Sequence, residues 1–328
     1  MKLSPIFGNH TVLQANKPIR IFGIGEGRVE ATFDGETQSV CSDGGFWCLT
    51  FSPRPYGGPY ELSISLNGEK SVYTDIFVGE VLLLAGQSNI AQKLRRTTYG
   101  EENYEENSVL RYFAARRFAD EDAYSPEDGW VLCTKDNAAR FSALGYHVGM
   151  EMSKQKKIAV GLVACYLGSS VIESWIPAEI GNQDRFYLPP EEKYDSPYVR
   201  GPHNEYGMLY RTRQQSVVPF SVGRVIWYQG ESNTGKSEWK HYTELLSELI
   251  SCWRRDFMDE ALPFTVVQIA DWDARQDDAW RGIQRAQERI SEVAEHVTVI
   301  RSADVCETFD IHPPTKIHLA MRILESIG

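Results

Sequence analysis

Long apolar runs are missing from this 328-residue chain, and no stretch reaches membrane-spanning length. The opening Met1-Lys2-Leu3-Ser4-Pro5-Ile6-Phe7-Gly8 also lacks the apolar segment of a secretory leader. The expectation is a cytoplasmic protein with no membrane partner. Positive charge is scarce as well: 34 Lys and Arg face 45 Asp and Glu, a formal charge of -11. That balance excludes a broad basic surface able to displace counterions from nucleic acid. The six cysteines, at 41, 48, 133, 165, 252 and 306, contain no Cys-x-x-Cys pair. Reduced thiols are expected, with no disulfide framework and no structural zinc, although Cys41 and Cys48 are close enough in sequence to be neighbours. The HExxH spacing is absent too, so His312 and His318 with nearby acids make a poor metal site, and neither metal nor cofactor is expected. Internal repeats and low-complexity linkers are lacking.

What remains is an ordinary globular composition, 42% hydrophobic, with enough apolar residues for a sizeable core. Two patterns divide it. Up to residue 75, segments such as Arg28-Val29-Glu30-Ala31-Thr32-Phe33 and Tyr60-Glu61-Leu62-Ser63-Ile64-Ser65-Leu66 alternate apolar with polar between turn residues. They predict a small antiparallel β-sandwich-like domain over 1–75. Gly23-Ile24-Gly25-Glu26-Gly27 resembles half a dinucleotide fingerprint, but strand-forming residues follow it where a helix is required, so it reads as a turn. From 76 to 328 strand-like runs at 81–85, 158–165, 224–228, 264–270 and 297–301 alternate with helical spacing. Trp239, Tyr242, Leu245, Leu246, Leu249, Ile250, Trp253 and Phe257 share one face; a last helix after Pro313-Pro314 should turn Ile317, Ala320, Met321 and Leu324 inward. Such alternation predicts an α/β domain with a parallel sheet and helices on both faces.

Chemistry in open parallel sheets gathers at the carboxyl ends of the strands. The buried-looking run Val81-Leu82-Leu83-Leu84-Ala85 ends in Gly86-Gln87-Ser88-Asn89. Alone, these polar residues could merely cap the next helix. Other strand ends, however, run into Gly168-Ser169-Ser170, Gln229-Gly230-Glu231-Ser232-Asn233 and Asp310-Ile311-His312. Gathered at one edge, they supply what acyl transfer needs. Ser88 would be a nucleophile, which requires a base titrating near neutrality, the property of imidazole. Asp310 or Glu231 would hold that base in one tautomer. The amides of Ser88 and Gly168, with the side chain of Gln229 or Asn233, would meet the developing oxyanion.

Taken in order, Gly86-Gln87-Ser88-Asn89, Gly168, Trp227-Tyr228-Gln229-Gly230-Glu231-Ser232-Asn233 and Asp310-Ile311-His312-Pro313 resemble the blocks of the SGNH hydrolase superfamily. More narrowly they are similar to the sialate O-acetylesterase-like carbohydrate esterases, a likeness extending to Asn9-His10-Thr11-Val12-Leu13-Gln14 and Phe141-Ser142-Ala143-Leu144-Gly145. The resemblance implies a flavodoxin-like three-layer α/β/α domain and metal-free, serine-dependent removal of acetyl groups from sugars. By it, Ser88 is the nucleophile, His312 the base and Gly168 an oxyanion donor. The superfamily's aspartate lies three residues before its histidine, where this chain has Phe309; Asp310 is preferred as the orienting acid, with Glu231 as the alternative. Gln229 stands where the superfamily has an oxyanion asparagine, leaving Asn233 as substitute. Gln87, Asn89, Glu173 and Trp175 are assigned to substrate binding. The expected partner is an acetylated oligosaccharide or acetylated sialic acid, and an oligomer is allowed. A short-chain lipase or thioesterase, or a non-catalytic sugar-binding protein on the same fold, is the alternative.

Overall fold

The computed structural model describes residues 2–115 and 129–328. The chain begins with β1 (Lys2–Leu3), β2 (Val12–Gln14), β3 (Ile19–Phe33), β4 (Glu36–Phe51), β5 (Gly57–Leu66) and β6 (Glu69–Gly86). It continues with β7 (Asn107–Ala114), β8 (Val131–Cys133), β9 (Val160–Tyr166), β10 (Arg224–Tyr228), β11 (Phe264–Val267) and β12 (Val297–Ile300). Helices α1 (Ser88–Ala91), α2 (Lys135–Ala138), α3 (Ala143–Lys156), α4 (Ala178–Gly181), α5 (Met208–Thr212), α6 (Trp239–Asp256), α7 (Asp278–Val293) and α8 (Ile317–Ile327) connect them.

The alternating segments pair antiparallel: β3 with β1, β4 and β5, and β5 with the first half of β6. The division expected after residue 75 falls inside β6. Between Leu62↔Tyr73 and Tyr60↔Ile76 this strand carries one extra residue, a bulge in which Asp75 takes a φ of 57°. His10 and Arg111 both bind the Asp75 carboxylate there, at 2.6 and 2.8 Å. Beyond the bulge the strand enters a parallel sheet of order β7-β9-β6-β10-β11-β12, with β8 antiparallel on the outer edge. Residues 107–114, to which the sequence reading assigned no element, form its β7 strand.

A strand covered on both faces must be apolar, and β6 is from Val81 to Ala85, where it is buried without a break. Val81, Leu83 and Ala85 join the core formed with α6 and α7, while Leu82 and Leu84 join the one formed with α3 and α8. Helix α8 is rotated from the expected face: Leu319, Ala320, Ile323 and Leu324 are buried, whereas Ile317 and Met321 are half-buried. The reason is Lys316, itself buried, which heads the stripe 316, 319, 320, 323, 324 at helical spacing. All six cysteines are free, with Cys41 exposed and Cys165 buried in β9. Among the described residues no helix is long and apolar enough to cross a membrane.

Candidate active site

Three neighbouring strands end at the same level, because Gly86 of β6 pairs with Tyr166 of β9 and Tyr228 of β10. The chain turns sharply after Gly86, whose φ is +128°. A Cβ there would lie 2.1 Å from the Tyr228 carbonyl oxygen, so only glycine fits. The Gln87 amide donates to that same oxygen at 3.0 Å, and α1 starts at Ser88. The segment Phe141–Gly145 holds α1 from outside: the Ser142 hydroxyl donates to the Ile90 carbonyl at 2.6 Å and accepts from the Gly145 amide.

Ser88 is half-buried at this edge. A Cβ on Gly168 would be 3.7 Å from the Ser88 Cβ, which puts the turn after β9 directly against the serine. Within the described protein neither the Ser88 nor the Gly168 amide has a hydrogen-bond acceptor. From the other side the Asn89 amide donates to the Ile311 carbonyl at 2.9 Å, so the residue after Ser88 touches the residue before His312. The Ser88 turn and the His312 loop therefore touch, with no direct hydrogen bond between the Ser88 Oγ and the imidazole. Such bonds are often long in unliganded sites and tighten around substrate. His312 Nδ1 lies 3.9 Å from Asp310 Oδ1, and the same oxygen accepts from the His312 amide at 2.8 Å. Burial holds the imidazole below the usual histidine range; Asp310 opposes that effect and Lys316 reinforces it.

The turn after β10 is packed as a polar knot. The Gln229 side-chain amine faces acceptors on Gln87, Ser170 and Asn233 at 3.1, 2.9 and 2.8 Å, and its carbonyl accepts from the Tyr242 hydroxyl at 2.7 Å. With two N–H groups and three acceptors, Gln229 has nothing left for an oxyanion, which corrects its expected role. Asn233 accepts from the Ile172 amide and donates to Glu173 at 2.9 Å, keeping one N–H without an acceptor. Glu173 is half-buried, and Asn233 engages one of its oxygens.

One further assignment to substrate contact, that of Asn89, is corrected by saturation. Gln87 is buried and its carbonyl oxygen accepts from Gln229, the Gly230 amide and the Ser232 amide, while its side-chain N–H groups have no acceptor within the described protein. Asn89 is buried, and its amide is fully used by Ile311, by Glu231 Oε1 at 2.5 Å and by Lys316 Nζ at 2.8 Å. Lys316, which no sequence motif marked, is held down to about 8 by burial, against the opposing effects of Cys306, Glu231, Glu307 and Asp310. Burial raises the Glu231 carboxyl, opposed by its own amide, Asn89 and Lys316.

Trp175 is the third correction. It is 0% exposed, its ring edge-on to Trp227 and Trp253 at 6.1 and 6.3 Å and its indole N–H on the Ser170 hydroxyl. A ring without exposed surface cannot stack on a sugar; it supports the turn carrying Gly168 from below. Trp175→Ala is expected to lower unfolding free energy by about 3 to 5 kcal/mol, read from denaturant midpoints. A residue that no sequence motif marked also faces the edge: His203 Nε2 is 3.4 Å from the Ser169 carbonyl, which Asn204 also binds at 2.8 Å. Its signal lay only in the tertiary contact. Among the described residues no group of three or more His, Cys, Asp or Glu is placed to hold a metal ion.

Residues 78–325 match the family described as carbohydrate esterase, sialic acid-specific acetylesterase. Sialate O-acetylesterase of Homo sapiens is 24% identical over 267 residues, 74% of this chain and 50% of that protein. The Pongo abelii protein of the same name is 25% identical over 261 residues, 72% of this chain and 49% of that protein. The chain thus spans about half the length of these curated relatives. A solved carbohydrate acetylesterase from Xanthomonas citri aligns with 98% of this chain and 73% of its own, at a TM-score of 0.83 and 26% identity. Over most of its length, and through every strand end that builds the site, this chain belongs to the sialic acid-specific acetylesterase family of carbohydrate esterases.

Proposed function

We propose that the protein is a serine esterase that removes O-acetyl groups from carbohydrates, working on the three-layer SGNH arrangement with an added N-terminal β domain. The observation carrying this reading is the apposition, at one sheet edge, of Ser88, the free amides of Ser88 and Gly168, and the loop bearing His312. Neutral His312 takes the proton as Ser88 Oγ attacks the acetyl carbonyl carbon. The resulting oxyanion meets the amides of Ser88 and Gly168 and the spare N–H of Asn233. As the tetrahedral intermediate collapses, His312 returns the proton to the departing sugar oxygen. Water, deprotonated by the same imidazole, then attacks the acetyl-serine, and acetate leaves with Ser88 re-protonated. Glu173, with one oxygen uncommitted, is placed to accept from a sugar hydroxyl.

Asp310 is the orienting acid in this scheme, since it lies at ion-pair distance from Nδ1, whereas one oxygen of Glu231 is spent on Asn89. Asp310→Asn is expected to lower kcat by about ten- to a hundredfold, and by more than Glu231→Gln. The reverse order would transfer the role to Glu231. Substrate is tested by acetate release from acetylated xylo- and manno-oligosaccharides beside acetylated sialic acids. Turnover of aliphatic acyl esters in preference to every acetylated sugar would refute the carbohydrate assignment in favour of a lipase or thioesterase. Free thiols throughout suit a reducing compartment, and the cytoplasm is proposed on that ground.

A further inference from the structure

The ester chemistry above makes no use of a buried cation that lies against the Ser88 turn. Lys316 is 1% exposed and heads the inward stripe of α8, with its amine over the Tyr228 ring at 5.7 Å. A buried ammonium is tolerated only when it is partnered. The partner is Asn89 Oδ1 at 2.8 Å, while Asn89 Nδ2 donates to Glu231 Oε1 and to the Ile311 carbonyl. Chemistry fixes this orientation of the amide, since an ammonium can only donate, and a carboxylate or a carbonyl can only accept. A single side chain therefore joins three separate segments: the residue after Ser88, the residue before His312, and the turn after β10. The second oxygen of Glu231 is buried without a hydrogen-bond partner, so the carboxylate depends on the nearby ammonium for charge compensation.

We infer that Lys316 is a positioning residue for the hydrolysis: by locking the Asn89 amide it sets the Ser88 helix against the His312 loop, with Glu231 as its counter-charge. The inference rests on the proposed reading of Ser88 and His312 as nucleophile and base. The amine acts on geometry, because without its donor Asn89 is free to rotate and the two loops lose their common anchor. It also acts on charge. The charged groups facing His312 are Asp310 on its own loop, which favours the imidazolium, and Lys316, which opposes it; Glu231, Glu307 and Cys306 act on Lys316 in turn. Removing the ammonium and removing the Asp310 carboxylate therefore move the imidazole in opposite directions.

The test compares the native protein with Lys316→Met, Lys316→Gln, Asp310→Asn and Ser88→Ala, measuring kcat and KM for 4-nitrophenyl acetate across pH and the rate of labelling by a fluorophosphonate. For Lys316→Met we expect kcat to fall by about 10- to 100-fold with KM little changed, and labelling to slow in parallel. The acid limb of its kcat/KM profile should move to higher pH, and that of Asp310→Asn to lower pH. A folded Lys316→Met with native kcat and an unmoved limb overturns the inference. If Lys316→Met does not fold, Lys316→Gln, which keeps a donor for Asn89 but not the charge, decides by the same limb shift. Failure of both to fold makes the amine a fold determinant and overturns the positioning role. Ser88→Ala separates the levels: if it hydrolyses and labels like the native protein, the nucleophile reading itself fails. If it is inert while Lys316→Met is native-like, only the present inference fails.

Discussion

Ser88→Ala is expected to lower kcat for acetate release by about 10⁴- to 10⁶-fold, His312→Ala by a similar factor, and the double variant no further. The reason is chemical. Alanine removes the only atom at the turn that can form the acetyl-enzyme, and without the imidazole the hydroxyl stays protonated and weakly nucleophilic. Either loss ends the same step, so the effects do not add. Residual turnover would come from the oxyanion donors alone, which in serine hydrolases leave about 10³-fold over water. Stability should hardly change, because Ser88 is half-buried and its hydroxyl has no hydrogen bond in the described protein. The measurement is acetate release with unfolding midpoints beside it, plus the pre-steady-state burst from 4-nitrophenyl acetate. Rates within tenfold of native in a folded Ser88→Ala protein would move the nucleophile elsewhere.

Gly86→Ala is expected to lower unfolding free energy by about 2 to 4 kcal/mol and to depress kcat as well. At φ +128° an L side chain is strained in any surroundings, and here its Cβ would stand 2.1 Å from the Tyr228 carbonyl oxygen. Relief requires the ends of β6 and β10 to part, and the Gln87 amide bond to that carbonyl goes with them. The turn displaying Ser88 would then shift relative to Gly168 and to the His312 loop. A midpoint change without loss of kcat would mean that the turn relaxes without moving the serine. An unchanged midpoint would contradict the close approach itself.

Much of the site was legible because its pieces carry local signals. A continuous apolar run ended by glycine marks a central strand and its exposed end, and the order of the polar blocks marks which ends matter. The apposition of Gly168 with Ser88, and of residue 89 with residue 311, follows from parallel strands ending at one edge. What misled was the assumption that polar or aromatic residues beside a nucleophile face the substrate. Asn89 and Trp175 lie beside the serine or the Gly168 turn, yet both are buried and committed to their neighbours. Direction out of a turn depends on tertiary packing, which residue type does not encode.

By itself the sequence determined the alternation of strands and helices, the reduced thiols, the acidic surface and the membership of the site blocks, because period, composition and spacing are local properties. Only the tertiary structure decided that β6 passes unbroken from the antiparallel half into the parallel sheet, carrying a bulge at Asp75. Only it placed the amine of Lys316 on Asn89, 227 residues away in the chain. A lysine ordinarily reads as a solvated charge. It becomes buried here because α8 packs with position 316 inward and because Asn89 and Glu231, contributed by two other strand ends, arrive to satisfy it.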